Sequence, residues 1–381
     1  MSFEQILLLF PLAAGMVLSQ TVQATAAEEP LVFISAFAPG EKGAIHAFKL
    51  NPETGKLTQV ERTSDMENPF FLAVSPDNRF LYSIHAPGKF GGKDNEYVAA
   101  YELEGRTGKL KPLNQQSSLG TASCYLDIDQ SGKAVVVANY STGNLASLPV
   151  KADGSLGEAA TFIQHEGSSV NPKRQKEAHA HCSVISPDQK FVFAADLGID
   201  KILAYELDPQ TAKLSPAKQP FVRTIPGAGP RHLTFHPNGK AMYVINELKN
   251  SITKFDYDPE TGFLTEGQTI STIPEDFTGI THCADLKFTP DGRFLYGTNR
   301  GHDSLAAYSV DKNGDLSLIE ITPSLGKGPQ NLAITADGKF LLCANMPGNN
   351  VIVFAIDQKT GKLTPVGEPI SIPSPSCIMI R

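Results

Sequence analysis

Tryptophan is absent from the 381 residues, and cysteine is scarce at five. Cys124, Cys182, Cys283, Cys343 and Cys377 lie far apart with no Cys-x-x-Cys spacing. That pattern excludes a disulfide framework and a zinc cluster, and it fits small buried hydrophobes. No apolar run approaches the roughly 18 residues that a membrane-spanning helix requires. Basic residues are outnumbered, 33 Lys and Arg against 40 Asp and Glu for a net charge of −7, and they form no block. Holding a nucleic-acid backbone takes clustered Lys and Arg, so nucleic acid is excluded as a partner, while a local basic pocket for a small anion stays open. There is no G-x-S-x-G elbow, H-E-x-x-H pair, Walker A loop or dinucleotide fingerprint.

What is abundant is punctuation. Glycine (32) and proline (27) break a chain that is 41% hydrophobic, enough for a sizeable core. The N-terminus stands apart. A short apolar stretch from Ile6 to Leu18 is followed by polar residues and by Ala24-Thr25-Ala26-Ala27, an A-x-A-like cleavage pattern. This predicts a secretory signal peptide over 1–27 and hence a periplasmic or secreted protein. The leading segment carries Glu4 with no Lys or Arg, so a cytoplasmic chain with an N-terminal extension is the alternative.

From residue 31 the chain repeats itself. An alternating apolar run, a turn such as Pro-Glu-Thr-Gly-Lys and a leucine recur, ending at Leu57, Leu110, Leu156, Leu214, Leu264, Leu316 and Leu363. A second phrase places a Ser-Pro-Asp-like turn between two apolar strands, as in Phe71 to Tyr82, Ser183 to Ala194, Leu233 to Val244 and Leu286 to Tyr296. Weaker copies surround Ser131-Gly132 and Asp337-Gly338. Period-two alternation with such turns marks each phrase as a β-hairpin. Two hairpins per repeat of about 50 residues predict an all-β, seven-bladed β-propeller with four antiparallel strands per blade, over 31–381. Pro375 to Ile380 resembles the first strand of a unit, and Leu31 to Ala36 a second strand lacking its first. The C-terminal strand is therefore expected to complete the N-terminal blade and remove both sheet edges.

Repeats carry an internal control. Six positions before the centre of each Ser-Pro-Asp-like turn stand Phe70, Cys124, His181, Arg231, Ala284 and Gln330. Ten positions after it stand Ala86, Tyr140, Leu197, Glu247, Arg300 and Met346. Four of these twelve are charged or titrate near neutral pH: His181, Arg231, Glu247 and Arg300. Antiparallel pairing brings both slots to the end of the hairpin opposite its turn, so the four should converge on one mouth of the channel. They suit acid–base and anion-binding chemistry, and structural ion pairs such as Arg231 with Glu247 are the plainer explanation. Asn139, Asp196, Asn246, Asn299 and Asn345 share the adjoining slot. That regularity suggests structural capping, although Asn139 and Asp196 could also line the pocket. His179 and His181 form an H-x-H pair with no carboxylate at a ligand spacing, so no metal site is expected. The polar segment Gln164 to Ala180 reads as a loop over the mouth.

Several stretches together resemble the seven-bladed propeller lactonases, a family that includes 6-phosphogluconolactonase and carboxy-muconate cyclase types. They are Arg174-Gln175 through His179-Ala180-His181, Gly229-Pro230-Arg231-His232, Val244-Ile245-Asn246-Glu247-Leu248, and Asp291-Gly292-Arg293-Phe294 to Asn299-Arg300-Gly301. The resemblance spans about 31–381. It implies hydrolysis of a sugar lactone without metal or cofactor, with His181, Arg231, Glu247 and Arg300 catalytic. Glu247 or His181 would activate water, and the arginines would hold the substrate anion and the oxyanion. Arg174, His179 and Asn139 are the expected substrate-binding residues, and a monomer is expected. A lactonising cycloisomerase and a non-catalytic binding platform are the alternatives. An exported enzyme would meet unphosphorylated aldonolactones more readily than phosphorylated ones.

Overall fold

Short apolar runs bounded by Gly, Pro, Asp and Asn give strands, mostly of six to eight residues. The structure, a computed structural model, describes Met1, residues 28–64 and residues 66–381. Apart from Met1, the predicted signal peptide lies outside the described residues. The described residues form 28 strands and one 3₁₀ turn, Gly40–Lys42. No helix among them is long and apolar enough to cross a membrane.

The strands form seven antiparallel sheets of four. The innermost strands of blades 2 to 7 are Pro69–Val74, Ser123–Ile128, Ala180–Ile185, Pro230–Phe235, His282–Phe288 and Pro329–Ile334. In blade 1 the innermost strand is Pro375–Ile380, which pairs with Leu31–Ala36 through Val32 opposite Ile380 and Ile34 opposite Ile378. Each innermost strand packs against the next, including the last against the first, and the ring closes. The architecture is the seven-bladed β-propeller that the repeat predicts.

The turns show why the phrases recur. In the Ser-Pro-Asp-like hairpin, a hydroxyl accepts the amide proton of the aromatic residue that opens the next strand. Phe80 N donates to Ser75 Oγ at 2.9 Å, Phe191 N to Ser186 Oγ at 3.0 Å, and Phe294 N to Thr289 Oγ1 at 3.1 Å. The weaker copy at Ser131-Gly132 is the same turn with a carboxylate as acceptor, Ala134 N donating to Asp129 Oδ1 at 2.7 Å. In the other hairpin the turn glycine has positive φ, +70° at Gly55 and +73° at both Gly262 and Gly361. A Cβ at these three positions would collide with Phe340, Phe191 and Phe294 of the preceding blade. Glycine is required there twice over, for the left-handed backbone and for the ring packed on it. Tyr296 tightens the same contact, its hydroxyl donating to Gly361 O at 2.8 Å. Blade 3 departs from the pattern. Leu156 makes only a bridge with Val150, and the fourth strand there is the short Thr161–Gln164.

Burial is graded outward. The second strands Ala134–Asn139, Phe191–Asp196 and Phe340–Asn345 are buried throughout, while outer strands such as Lys213–Arg223 are largely exposed. The propeller is thus held by apolar faces stacked between sheets, each buried Phe or Leu contributing about 1.5–3 kcal/mol.

Candidate active site

The two repeat slots acquire a shared geometry in the folded chain. In the ladder between first and second strands, Ser123 and Tyr125 have partners but Cys124 does not. His181, Arg231 and Gln330 are skipped in the same way. Each is the extra residue of a β-bulge, the device that re-aims a side chain out of a regular strand. The second slot follows the buried end of the second strand. Its backbone is fixed there: Glu247 N donates to Gly229 O at 2.8 Å, Tyr140 N to Ala122 O at 3.0 Å and Met346 N to Gly328 O at 3.1 Å.

Nine of the twelve slot residues therefore line one cavity of about 320 Å³ at a mouth of the channel. They are Phe70, Cys124, His181, Arg231 and Gln330 from the first slot, with Tyr140, Glu247, Arg300 and Met346 from the second. Phe37, Phe90 and Arg174 complete the wall.

Glu247 is the centre of the charge arrangement. Its Oε1 accepts from Arg174 Nη2 at 2.7 Å, and its Oε2 from Arg231 Nε at 2.9 Å and Arg300 Nη2 at 2.8 Å. Burial alone would raise the Glu247 carboxyl, but Arg300, Arg231 and Arg174 outweigh it and hold the group well below the usual carboxylate range. Three guanidiniums on one carboxylate leave an excess of two positive charges, which favours an anionic occupant.

The arginines differ in how firmly they are fixed. The Arg231 side chain is 2% exposed, and burial with nearby Arg300 pushes it down to about 10, still a cation at neutral pH. Its Nη1 donates to Ala284 O and, at 3.0 Å, to His232 Nε2. His232 Nδ1 lies 2.9 Å from Asp285 Oδ1, whose other oxygen accepts from Asn331 Nδ2 at 2.8 Å and Leu332 N at 2.9 Å. Burial, with Arg231 beside it, lowers His232 to about 4. The neutral ring then donates from Nδ1 to Asp285 and accepts from Arg231 at Nε2. Arg300 is held by Gln330 Oε1 at 3.2 Å and Cys283 O at 3.1 Å besides Glu247.

His181 is buried, its imidazole pushed well below its ordinary value by desolvation and by Arg231. Its Nδ1 lies 3.6 Å from the Cys124 thiol, which burial keeps protonated. Among the described residues no side chain or backbone group bonds to Nε2. The opposite wall is aromatic. Phe37, Phe70 and Phe90 pack mutually with centroids 5.0–5.1 Å apart.

The loop between Thr161–Gln164 and Ala180–Ile185 delivers Arg174, and Gln175 anchors it. Gln175 is buried, its Nε2 donating to Leu197 O at 2.9 Å and Asp200 Oδ1 at 2.7 Å. Asp200 also accepts from Gly227 N at 2.6 Å and Gly229 N at 2.8 Å, tying this loop to the one before Arg231.

The structure brings His181, Arg231, Glu247, Arg300 and Arg174 together. His179 is not among the residues lining the cavity; it stacks on Tyr140 at 4.5 Å with Nδ1 2.9 Å from Tyr140 O. Asn139 is not on the cavity wall. It is fully buried, donating to Ser118 O at 2.9 Å and accepting from Ser123 Oγ at 2.6 Å, because a side chain at the end of a second strand points between sheets. Asp196 is engaged likewise, by His179 N at 2.7 Å and His165 Nδ1 at 2.7 Å. Phe37 holds the second slot of blade 1, its N donating to Ser374 O at 3.0 Å, and went unseen because that blade is split between the two ends of the chain; Phe90 lies on a connecting loop outside the repeat register. The interruption Lys89-Phe90-Gly91-Gly92 in blade 2 was the available signal.

Comparison with known proteins agrees along the whole propeller. Residues 31–380 match the family described as lactonase, 7-bladed beta-propeller. A 6-phosphogluconolactonase of Bacillus subtilis is 34% identical over 347 residues, 91% of this chain and 97% of its own length. A 6-phosphogluconolactonase of Formosa agariphila is 32% identical over 356 residues, 92% of this chain and 99% of its own. Among solved structures, the periplasmic gluconolactonase of Pseudomonas aeruginosa superposes with a TM-score of 0.86 at 32% identity, covering 92% of this chain and 98% of that one. With ring closure, repeat register and full-length similarity all in agreement, this chain belongs to the seven-bladed β-propeller lactonase family.

Proposed function

We propose that this protein hydrolyses a sugar lactone to its aldonic acid, with 6-phosphogluconolactone and δ-gluconolactone as the two substrates to compare. The observation that carries the reading is Glu247: a buried, ionised carboxylate with three guanidiniums and a neutral imidazole around it, in a cavity with an aromatic wall. The sugar ring's C–H face packs on Phe37, Phe70 and Phe90. Arg174 and Arg300, the more exposed cations, take the substrate's anionic group. Arg231 polarises the lactone carbonyl and stabilises the oxyanion, a contribution of about 3–4 kcal/mol for one well-placed donor.

Glu247 accepts a proton from water as its oxygen bonds to the carbonyl carbon. Collapse of the tetrahedral intermediate breaks the ring C–O bond, and the leaving alkoxide takes the Nε2 proton of His181. A neutral imidazole is a weak acid, but its strength is close to that of a sugar alcohol, which suits an alkoxide leaving group. Glu247 returns its proton to His181 through water, and the acid product ionises.

We also infer export to the periplasm, supported by the sequence pattern of residues 1–27 and by the periplasmic relative in Pseudomonas aeruginosa. A monomer is part of this reading, since every residue given a role here belongs to one chain. The test is a pH-stat measurement of acid release from both lactones, with the spontaneous rate subtracted. Acceleration of either supports the lactonase, and the ratio of kcat/KM values reports whether phosphate is read. No acceleration of either lactone would overturn the reading.

A further inference from the structure

We propose that Arg174 is a substrate-operated latch on Glu247: an anionic group entering the pocket draws the Arg174 guanidinium off Oε1 and uncovers that oxygen to act as base. This rests on the lactonase reading above and deepens it.

The argument starts from an imbalance at the carboxylate. Oε2 is held by Arg231 and Arg300, whereas Oε1 has one partner among the described residues, Arg174 Nη2 at 2.7 Å. The three arginines are not equally free to leave. Arg231 is locked by His232 and Ala284 O as well as by Glu247. Arg300 is held by Gln330 and by the carbonyls of His282 and Cys283. Among the described residues Arg174 makes only two side-chain bonds, both through Nη2: one to Glu247, the other to Tyr140 Oη at 3.2 Å. Its side chain is the most exposed of the three at 35%, against 26% for Arg300 and 2% for Arg231.

Its loop is nevertheless anchored one residue away by buried Gln175, so the guanidinium can pivot while the backbone stays put. A phosphate or carboxylate that offers this fork two oxygens outcompetes the single contact to Oε1. The carboxylate then loses one of its three countercharges and becomes a better base. The base is thus exposed only when substrate fills the pocket. The uncharged lactone cannot open the latch and is hydrolysed with the base still covered.

The experiment splits the substrate into its two parts. Wild-type protein is assayed on uncharged δ-gluconolactone with increasing inorganic phosphate, subtracting the enzyme-free rate at each concentration, and Arg174→Ala is assayed in parallel. The latch predicts that phosphate raises the wild-type kcat several-fold, up to about tenfold for one unit of added carboxylate basicity. Arg174→Ala should show the raised kcat without phosphate, lose the stimulation, and raise KM for 6-phosphogluconolactone.

Three results overturn it: phosphate that leaves the wild-type rate unchanged or lowers it, stimulation that survives in Arg174→Ala, or a folded Arg174→Ala with a lower kcat on the uncharged lactone. The wild-type titration needs no variant, so a misfolded mutant cannot rescue the idea. Turnover of both lactones with no phosphate response removes the latch and leaves the lactonase standing. No turnover of either removes both.

Discussion

Replacing Glu247 by Gln tests whether the charge cluster holds the fold, performs the chemistry, or both. The substitution keeps shape and removes one negative charge from the centre of three guanidiniums. Arg231 suffers most, because its side chain is 2% exposed and Glu247 is its only carboxylate partner among the described residues, at 2.9 Å. Breaking a buried ion pair from one side costs about 3–5 kcal/mol, since the other charge is left without compensation. For a domain of about 350 residues, with roughly 2.1 cal/mol/K of unfolding entropy per residue, that is a fall in Tm of about 4–7 °C. Loss of a general base costs about 10²–10⁴ in kcat. Circular dichroism melts would read the first quantity, the chain having no tryptophan, and pH-stat rates the second. The double variant Glu247→Gln/Arg231→Met separates them. It removes both charges, so stability should return to within about 1–2 kcal/mol of wild type while activity stays lost. A Glu247→Gln protein as stable as wild type, or one that keeps a third of its kcat, would refute the account of this cluster.

Three further outcomes are expected. His46, His85 and His232 are each lowered to about 4, burial being the leading cause. The unfolded chain therefore binds more protons than the native one between about 4 and 6.5. Their stabilisation is complete above that window and lost as pH falls through it, at up to about 1.4 kcal/mol per pH unit for each histidine. Asp127, raised to about 6 by burial, acts in the opposite sense, so urea melts from pH 4 to 7 should show a net rise that is shallower in His85→Gln than in wild type. Deleting residues 375–381 opens blade 1 and exposes the edge of Leu31–Ala36, and the protein should aggregate or melt far below wild type by light scattering and circular dichroism. Soluble, monomeric, cooperatively folding protein from that deletion would show that closure is dispensable. Phe90→Ala removes part of the aromatic wall and should raise KM for gluconolactone with little change in kcat; the reverse pattern would deny it a binding role.

Much of this molecule is legible in its sequence, and the reason is repetition. Seven copies of one four-strand unit expose the period, the turns and the closing strand, each set by local chemistry: alternating apolar residues, a hydroxyl or carboxylate that caps the hairpin, a glycine at positive φ. The same register picks out His181, Arg231, Glu247 and Arg300, because a bulge in the first strand and the exit of the second occupy the same place in every blade. Asn139 takes the capping role that its slot suggests rather than a place on the wall, because one step along a strand turns a side chain from the channel into the space between sheets.

What the register cannot carry is whatever lies outside it. Arg174 arrives on an insertion and Phe90 on a loop, while Phe37 sits in the slot of the blade that only ring closure completes, so their meeting with Glu247 and Phe70 exists only once the ring is closed. Electrostatic character is likewise a property of the assembly. Sequence names three arginines and a glutamate, but burial and distances below 3 Å decide that Glu247 is ionised, that Arg231 is locked and that Arg174 is held through Nη2 alone. Strand patterns follow from neighbours along the chain, whereas the chemistry of this pocket depends on groups from several blades sharing a few ångströms of low-dielectric space.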